Sequence, residues 1–140
     1  MDNKEEIGFL VHRIDKTIKA NMDNELSKHD LTFSQSQVLR HIQKNKGTIS
    51  QKKLQELMNV SHPTIVGLVQ RLEAKGYVET SIDPEDRRNK IVMTTDLADK
   101  FKKDMVSSKQ RIDKKMLKGL SDEEIDELYR MLDHMYSNIS

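Results

Sequence analysis

Six residues in one short stretch have the types and spacing to recognise a polyanion: Ser61, His62, Thr64, Gly67, Gln70 and Arg71. Each is small or can hydrogen-bond, and none is acidic. At helical steps they form one face, whereas a solvated helix face ordinarily mixes both charge signs. A face kept short, polar and free of carboxylates suits close approach to base edges and phosphates in a DNA major groove. An ordinary capped surface helix is the competing reading of this stretch alone. Two arginines form a second group. Arg87 and Arg88, followed by Lys90, sit in the charged turn Asp83-Pro84-Glu85-Asp86-Arg87-Arg88-Asn89. Arginine on a ribbon tip suits the narrow, electronegative minor groove. Asp86 is placed to hold one arginine while the other points outward. The alternative is a solvated hairpin whose charges pair among themselves, which Asp83, Glu85 and Asp86 favour.

The elements that must position these groups are marked locally. Ser61 is an N-cap, Pro63 fits the first turn, and Gly76 supplies a left-handed C-terminal residue after Lys75. Ile65, Leu68, Val69 and Leu72 form the inward face. Before this helix, Ser50 caps a shorter one with Leu54, Leu57 and Met58 inward and Lys52 and Lys53 outward; Asn59-Val60 turns between them. Two helices joined by a tight turn make a helix-turn-helix, and any short helical hairpin is the bland equivalent. In this arrangement Ser50, Lys52 and Lys53 are placed for phosphate contacts. Tyr77-Val-Glu-Thr-Ser-Ile and Lys90-Ile-Val-Met alternate as strands, so a two-stranded wing follows the helix-turn-helix.

The charge distribution supports this reading better than the total. Net charge is only +1, yet residues 34–75 hold seven basic against two acidic groups. Residues 1–33 hold five basic and seven acidic, residues 76–96 three and five, and residues 97–140 nine of each. The focused segment carries the candidate helix and would steer a polyanion toward it.

Outside the residues 34–93 core (helix-turn-helix about 50–75, wing about 77–93), three helices with apolar stripes are predicted, over 5–29, 95–118 and 121–139. Their stripes run through Ile7, Leu10, Val11 and Ile14; through Leu97, Phe101 and Met105; and through Ile125, Leu128 and Leu132. A second helix starts near Ser34 after a connector that could bury Leu31 and Phe33. Ser121 and Glu124 match a capping box. A winged helix of about 60 residues cannot cover three such stripes. Residues 5–29 and 95–139 are therefore read as dimerisation helices, within 1–140 as a single domain. Two copies would present their recognition helices about 34 Å apart, to a pseudo-palindromic site. The fold class is mainly α with a small two-stranded β-wing.

Hydrophobic residues are 35% and charged residues 34% of the chain, which suits long amphipathic helices. No apolar run approaches a membrane span, and Met-Asp-Asn-Lys-Glu-Glu lacks a basic segment followed by an apolar one. A cytoplasmic protein with no membrane partner is expected. The absence of cysteine closes disulfide, thiolate-redox and cysteine–zinc chemistry. The histidines (His12, His29, His41, His62, His134) show no close ligand pair, and no metal site or cofactor is expected. His41 with Glu25 or His12 is the one combination left open. No glycine-rich phosphate loop or nucleophile elbow appears, so the chain is not read as an enzyme.

Ile49-Ser-Gln-Lys-Lys-Leu, Val60-Ser-His-Pro-Thr-Ile, Arg71-Leu-Glu-Ala-Lys-Gly-Tyr-Val, Asp83-Pro-Glu-Asp-Arg-Arg-Asn-Lys and Met93-Thr, in that order and spacing, resemble the MarR family of winged-helix regulators. The resemblance covers essentially the whole chain. It implies an obligate homodimer that represses transcription from a double-stranded DNA operator and leaves it when a small-molecule effector binds. It places Ser61, His62, Thr64, Gly67, Gln70 and Arg71 on the recognition helix. Arg87 and Arg88 fall on the wing, with Asp86 positioning an arginine. Gly67 stands where the family often has a larger side chain, and Leu97 where many members have glycine. The family's effectors are aromatic acids or lipophilic drugs, which implies Phe9, His12, Arg13, Phe33 and Met105 as lining residues; plain core is their alternative. Relatives often control multidrug efflux, stress response, virulence or aromatic catabolism. An activator would look the same, and a winged-helix protein–protein module without a DNA role is the competing function.

Overall fold

The computed structural model describes residues 3–140, with side chains described from Glu6 onward. Met1 and Asp2, part of the N-terminal stretch read above, lie outside the described residues. The chain forms two compact units, one ending at Ser108 and the other spanning Lys109–Ser140.

The first unit begins with α1 (Asn3–Lys28) and α2 (Phe33–Lys44). Thr32 caps α2: its hydroxyl accepts from the Gln35 backbone N–H at 3.2 Å, and the Gln35 side chain accepts from the Thr32 N–H at 3.1 Å. This capping box places the helix start one residue before the predicted Ser34. Leu31 is buried as expected, but Phe33 is 65% exposed. As the first residue of the helix it turns outward, away from the Val38–Leu39–Ile42 face that is buried.

β1 (Thr48–Ser50), α3 (Gln51–Met58), α4 (His62–Ala74), β2 (Val78–Ile82), β3 (Lys90–Thr94) and α5 (Asp96–Met116) follow. The sheet is antiparallel in the order β1-β3-β2, so it has three strands rather than the expected two. Thr48-Ile49, read in sequence as a lead-in to the Ser50 cap, pairs along β3 with Ile49 opposite Val92. A three-residue strand is too short to show alternation, and its partner lies more than forty residues away in sequence. The pairing also buries Ile49 in the core beside Val78 and Val92.

One apolar cluster unites the unit. Leu39, Ile42, Leu54, Ile65, Leu72 and Val92 are fully buried within it. It reaches beyond residues 34–93, taking Leu26 from α1 and Ala98 and Phe101 from α5. Leu57, expected inward, is 45% exposed, while Met58 and Val60 pack on the cluster instead. An eight-residue helix buries only a narrow strip, here centred on Leu54.

In the second unit, α5 ends, Gly119 takes a left-handed φ of 90°, and α6 (Asp122–Ile139) starts from a Ser121–Glu124 capping box as expected. No helix is long and apolar enough to cross a membrane among the described residues.

Candidate nucleic-acid interface

The helix that carries the polar face is defined at both ends by the predicted residues. Ser61 Oγ accepts from the Thr64 N–H at 3.3 Å and lies 2.8 Å from the Thr64 hydroxyl. The cap thus satisfies an orphan helix donor and fixes two of the site hydroxyls together. At the other end Gly76 adopts φ +85°. Its N–H donates to the Glu73 carbonyl at 3.0 Å, and the Tyr77 N–H donates to the Leu72 carbonyl at 2.9 Å. This paired closure needs a left-handed residue, which glycine adopts without steric cost.

Ile65, Leu68, Val69 and Leu72 are buried. The opposite face leaves Ser61, His62, Thr64, Gln70 and Arg71 exposed, with Gly67 half-buried between them. A Cβ added at Gly67 would lie 3.5 Å from Arg71 Nη1. The guanidinium therefore passes back over the glycine one turn earlier, in the shallow notch that a missing side chain leaves. On α3, Ser50 Oγ accepts from the Lys53 N–H at 3.1 Å, and Lys52 and Lys53 are exposed.

The wing tip is organised by its carboxylates. Asp83 Oδ1 accepts from the Glu85 N–H at 2.9 Å, and Asp86 Oδ1 accepts from the Arg88 N–H at 3.1 Å. These are Asx-type turns in which a side chain replaces a backbone acceptor. Asp86 Oδ1 also faces Arg88 Nε at 3.4 Å, so Arg88 is the arginine held in place. Among the described residues Arg87 makes no ion pair, and Arg87, Arg88 and Lys90 are all exposed.

Two members of the focused charged segment have structural duties that sequence alone did not reveal. Lys75 turns inward: Nζ donates to the Asp30 carbonyl and to Gln35 Oε1, the latter at 3.1 Å. Glu73 Oε2 accepts from both the Thr80 N–H at 3.1 Å and the Thr80 hydroxyl at 2.5 Å. One carboxylate thereby ties α4 to β2, the first strand of the wing. Lys75 is thereby drawn off the outward surface, while Glu73 stays exposed and charged, and the segment remains net basic.

The candidate effector residues do not share one environment. Phe9 is 64% exposed on α1, beside exposed His12 and Arg13, and Phe33 is exposed on α2. Neither phenylalanine belongs to the buried cluster of the single chain. Met105 does pack against the core. Among the described residues no three His, Asp or Glu side chains gather as metal ligands. The histidine with carboxylate neighbours is His29, whose Nε2 lies 3.9 Å from Glu25 Oε1 and 3.8 Å from Asp104 Oδ2. Its ring meets Phe101 edge-on at 5.1 Å. Asp104 is 75 residues from His29, so no sequence signal could have paired them.

Comparison with known proteins follows the same geometry. A family model described as MarR family matches residues 29–89, from the end of α1 to the wing tip. The uncharacterized HTH-type transcriptional regulator YfiV of Bacillus subtilis (strain 168) is 33% identical over 109 residues, covering 78% of this chain and 68% of YfiV. The HTH-type transcriptional regulator SarZ of Staphylococcus haemolyticus (strain JCSC1435) is 28% identical over 133 residues, covering 95% of this chain and 88% of SarZ. The S. aureus MepR–DNA complex superposes with a TM-score of 0.83 at 23% identity, covering 95% of this chain and 99% of MepR, a likeness of fold. A capped polar helix after a tight turn, a short β-wing behind it and these relatives lead to one assignment: the chain belongs to the MarR family of winged helix-turn-helix transcriptional regulators.

Proposed function

We propose that this regulator is a homodimer that binds a pseudo-palindromic DNA operator through α4 and the wing, and that it acts as a repressor released by a small-molecule effector. The observation that carries the DNA reading is the face of α4, where Ser61, His62, Thr64, Gln70 and Arg71 are exposed together with no carboxylate among them. Ser61, Thr64, Gln70 and Arg71 supply hydrogen-bonding groups for base edges and phosphates, and Gly67 permits close approach of the backbone. Lys52, Lys53 and the Ser50 end of α3 are placed for phosphate, and Arg87, Arg88 and Lys90 for the neighbouring minor groove. That MepR, a protein of the same fold, is known in complex with DNA supports the reading.

The competing role, a protein-binding winged helix, is motivated by the acidic wing residues and by the near-zero net charge. Asp83 and Asp86 are occupied in shaping the wing loop, which weakens the first of these. The dimer reading rests on the apolar residues that α1 and α6 leave exposed, Ile7, Leu10 and Ile14 on one and Leu132, Tyr136 and Ile139 on the other. Phe9, His12, Arg13, Phe33 and Met105 are assigned to an aromatic or lipophilic effector. Phe9 and Phe33 supply apolar surface, and Arg13 a cation for a carboxylate.

The test is fluorescence anisotropy of the purified protein on a duplex carrying its own upstream intergenic region, against a scrambled duplex. Tight, salt-sensitive binding at two protomers per site is expected. Arg71→Ala and Arg88→Ala should each weaken it by about 1–3 kcal/mol at constant salt. Folded variants that bind like wild type would overturn the mechanism. Equal weak binding to both duplexes would favour the protein-binding role.

A further inference from the structure

The Lys109–Ser140 unit is unusual in two ways. None of its residues is buried: Ile112, Leu117, Ile125 and Leu128 are only half covered, and the rest are exposed. Its charges are also sorted by sign. Residues 109–118 hold five basic groups and one acidic, whereas residues 121–140 hold six acidic groups and one basic. Sorting has a local cost, because like charges three or four apart on a helix repel. Arg111 stands four residues from Lys115, Lys115 three from Lys118, and Asp122 four from Asp126.

Helix dipoles account for part of the pattern. Lys114 and Lys115 occupy the last turn of α5, and Asp122, Glu123 and Glu124 the first turn of α6, where each sign is favoured. They do not account for Arg111, in the penultimate turn of α5, or for Asp126. Asp133 lies toward the C-terminal end of α6, where the dipole opposes an anion. Nor are the signs matched within the chain. Among the described residues the one ion pair of this unit joins Arg130 and Glu127 inside α6, with Arg130 Nε donating to Glu127 Oε2 at 3.0 Å. A nucleic acid is a poor occupant, since the acidic half would repel it.

We propose that the basic end of α5 in one protomer seats against the acidic α6 of its partner, and that these two symmetry-related charge pairings set the strength and register of the dimer. The inference rests on the homodimer reading above and adds the surface and its chemistry. A two-fold axis applies each contact twice, so a chain that carries both signs in separate segments complements a second copy of itself. Arg111 and Lys115 share one edge of α5. Asp126 and Asp133, seven apart, share one edge of α6. The exposed Tyr129 and Tyr136, each three residues after one of these carboxylates, flank the acidic edge and would be covered together with it.

The test exchanges charges between full-length chains. One variant carries Arg111→Glu with Lys115→Glu, the other Asp126→Lys with Asp133→Lys, and circular dichroism checks that both keep their helices. Sedimentation measures self-association at low and high salt. Wild type should dimerise, with the dimer weakening by tenfold or more as salt rises from low to high. Each variant alone should lose at least tenfold in self-association, and an equimolar mixture should restore one-to-one heterodimers. Pairing within a single chain would give no such rescue. Neutral variants, Arg111→Gln with Lys115→Gln, should lose less than the reversals. Variants that dimerise like wild type, or a mixture without heterodimers, would overturn the pairing while leaving a dimer in place. A wild-type chain that stays monomeric at every concentration would overturn the dimer and the pairing together.

Discussion

Two residues show how a side chain's role depends on what lies next to it. Gly67 faces Arg71 across one helical turn, and an added methyl would meet the guanidinium at ordinary van der Waals distance. Gly67→Ala should therefore raise stability by about 1 kcal/mol through helix propensity and lower operator affinity if the backbone approaches DNA there. Thermal melts and anisotropy on one preparation separate the two effects. Higher stability with unchanged affinity would show that the glycine serves only Arg71. Tyr77 is buried at the end of the α4 closure, and its hydroxyl donates to the His29 carbonyl at 2.8 Å. Burial, and then the Asp30 carboxylate, push its phenol above the ordinary 10.0. The neutral phenol is the form that the fold favours. Its contribution is thus complete below pH 10 and is lost as pH rises through the raised folded value. Wild type should lose stability under these alkaline conditions. Tyr77→Phe should lose about 1 kcal/mol near neutrality and show a smaller alkaline decline in denaturant titrations.

At the scale of elements, α4 and the wing are not independent of each other. Glu73 holds Thr80 by two hydrogen bonds, so the register of β2 is tied to the last turn of α4. Asp86 in turn sets the backbone and the guanidinium of Arg88. Asp86→Ala should loosen the tip and weaken operator binding toward the level of Arg88→Ala. Its effect on stability should stay within about 0.5 kcal/mol, because the pair is exposed. A stability loss much larger than this, with affinity intact, would make Asp86 a folding residue instead. These couplings were partly legible. The Asp-x-Arg spacing in the wing announces a local turn, whereas Glu73 and Thr80 belong to different elements and only their packing joins them.

At the scale of the whole molecule, the fully buried cluster ends at Phe101, and most of the exposed large apolar residues lie on α1, α5 and α6. Leu132, Tyr136 and Ile139 are 45%, 68% and 87% exposed. If a second copy covers them, folding and association are linked. The unfolding midpoint should then rise with protein concentration across roughly a 100-fold range. A midpoint independent of concentration would count against the dimer.

Sequence by itself determined what is decided within a few residues. Ser61, Pro63 and Gly76 set the ends of the recognition helix because caps and left-handed closures are local chemistry. The apolar spacing chose its buried face, and so left the polar face outward. Tertiary structure decided what depends on distant partners. It recruited Thr48–Ser50 as a third strand, since pairing energy comes from β3 and not from the segment's own pattern. It turned Lys75 away from the basic surface, because its ammonium donates to the Asp30 carbonyl and to Gln35 Oε1, both forty or more residues away in sequence. It left Phe33 outside, because a helix cap one residue earlier than expected rotated that side chain away from the core. Charge, burial and pairing between residues far apart in sequence are properties of the folded chain, and there the linear pattern stops being informative.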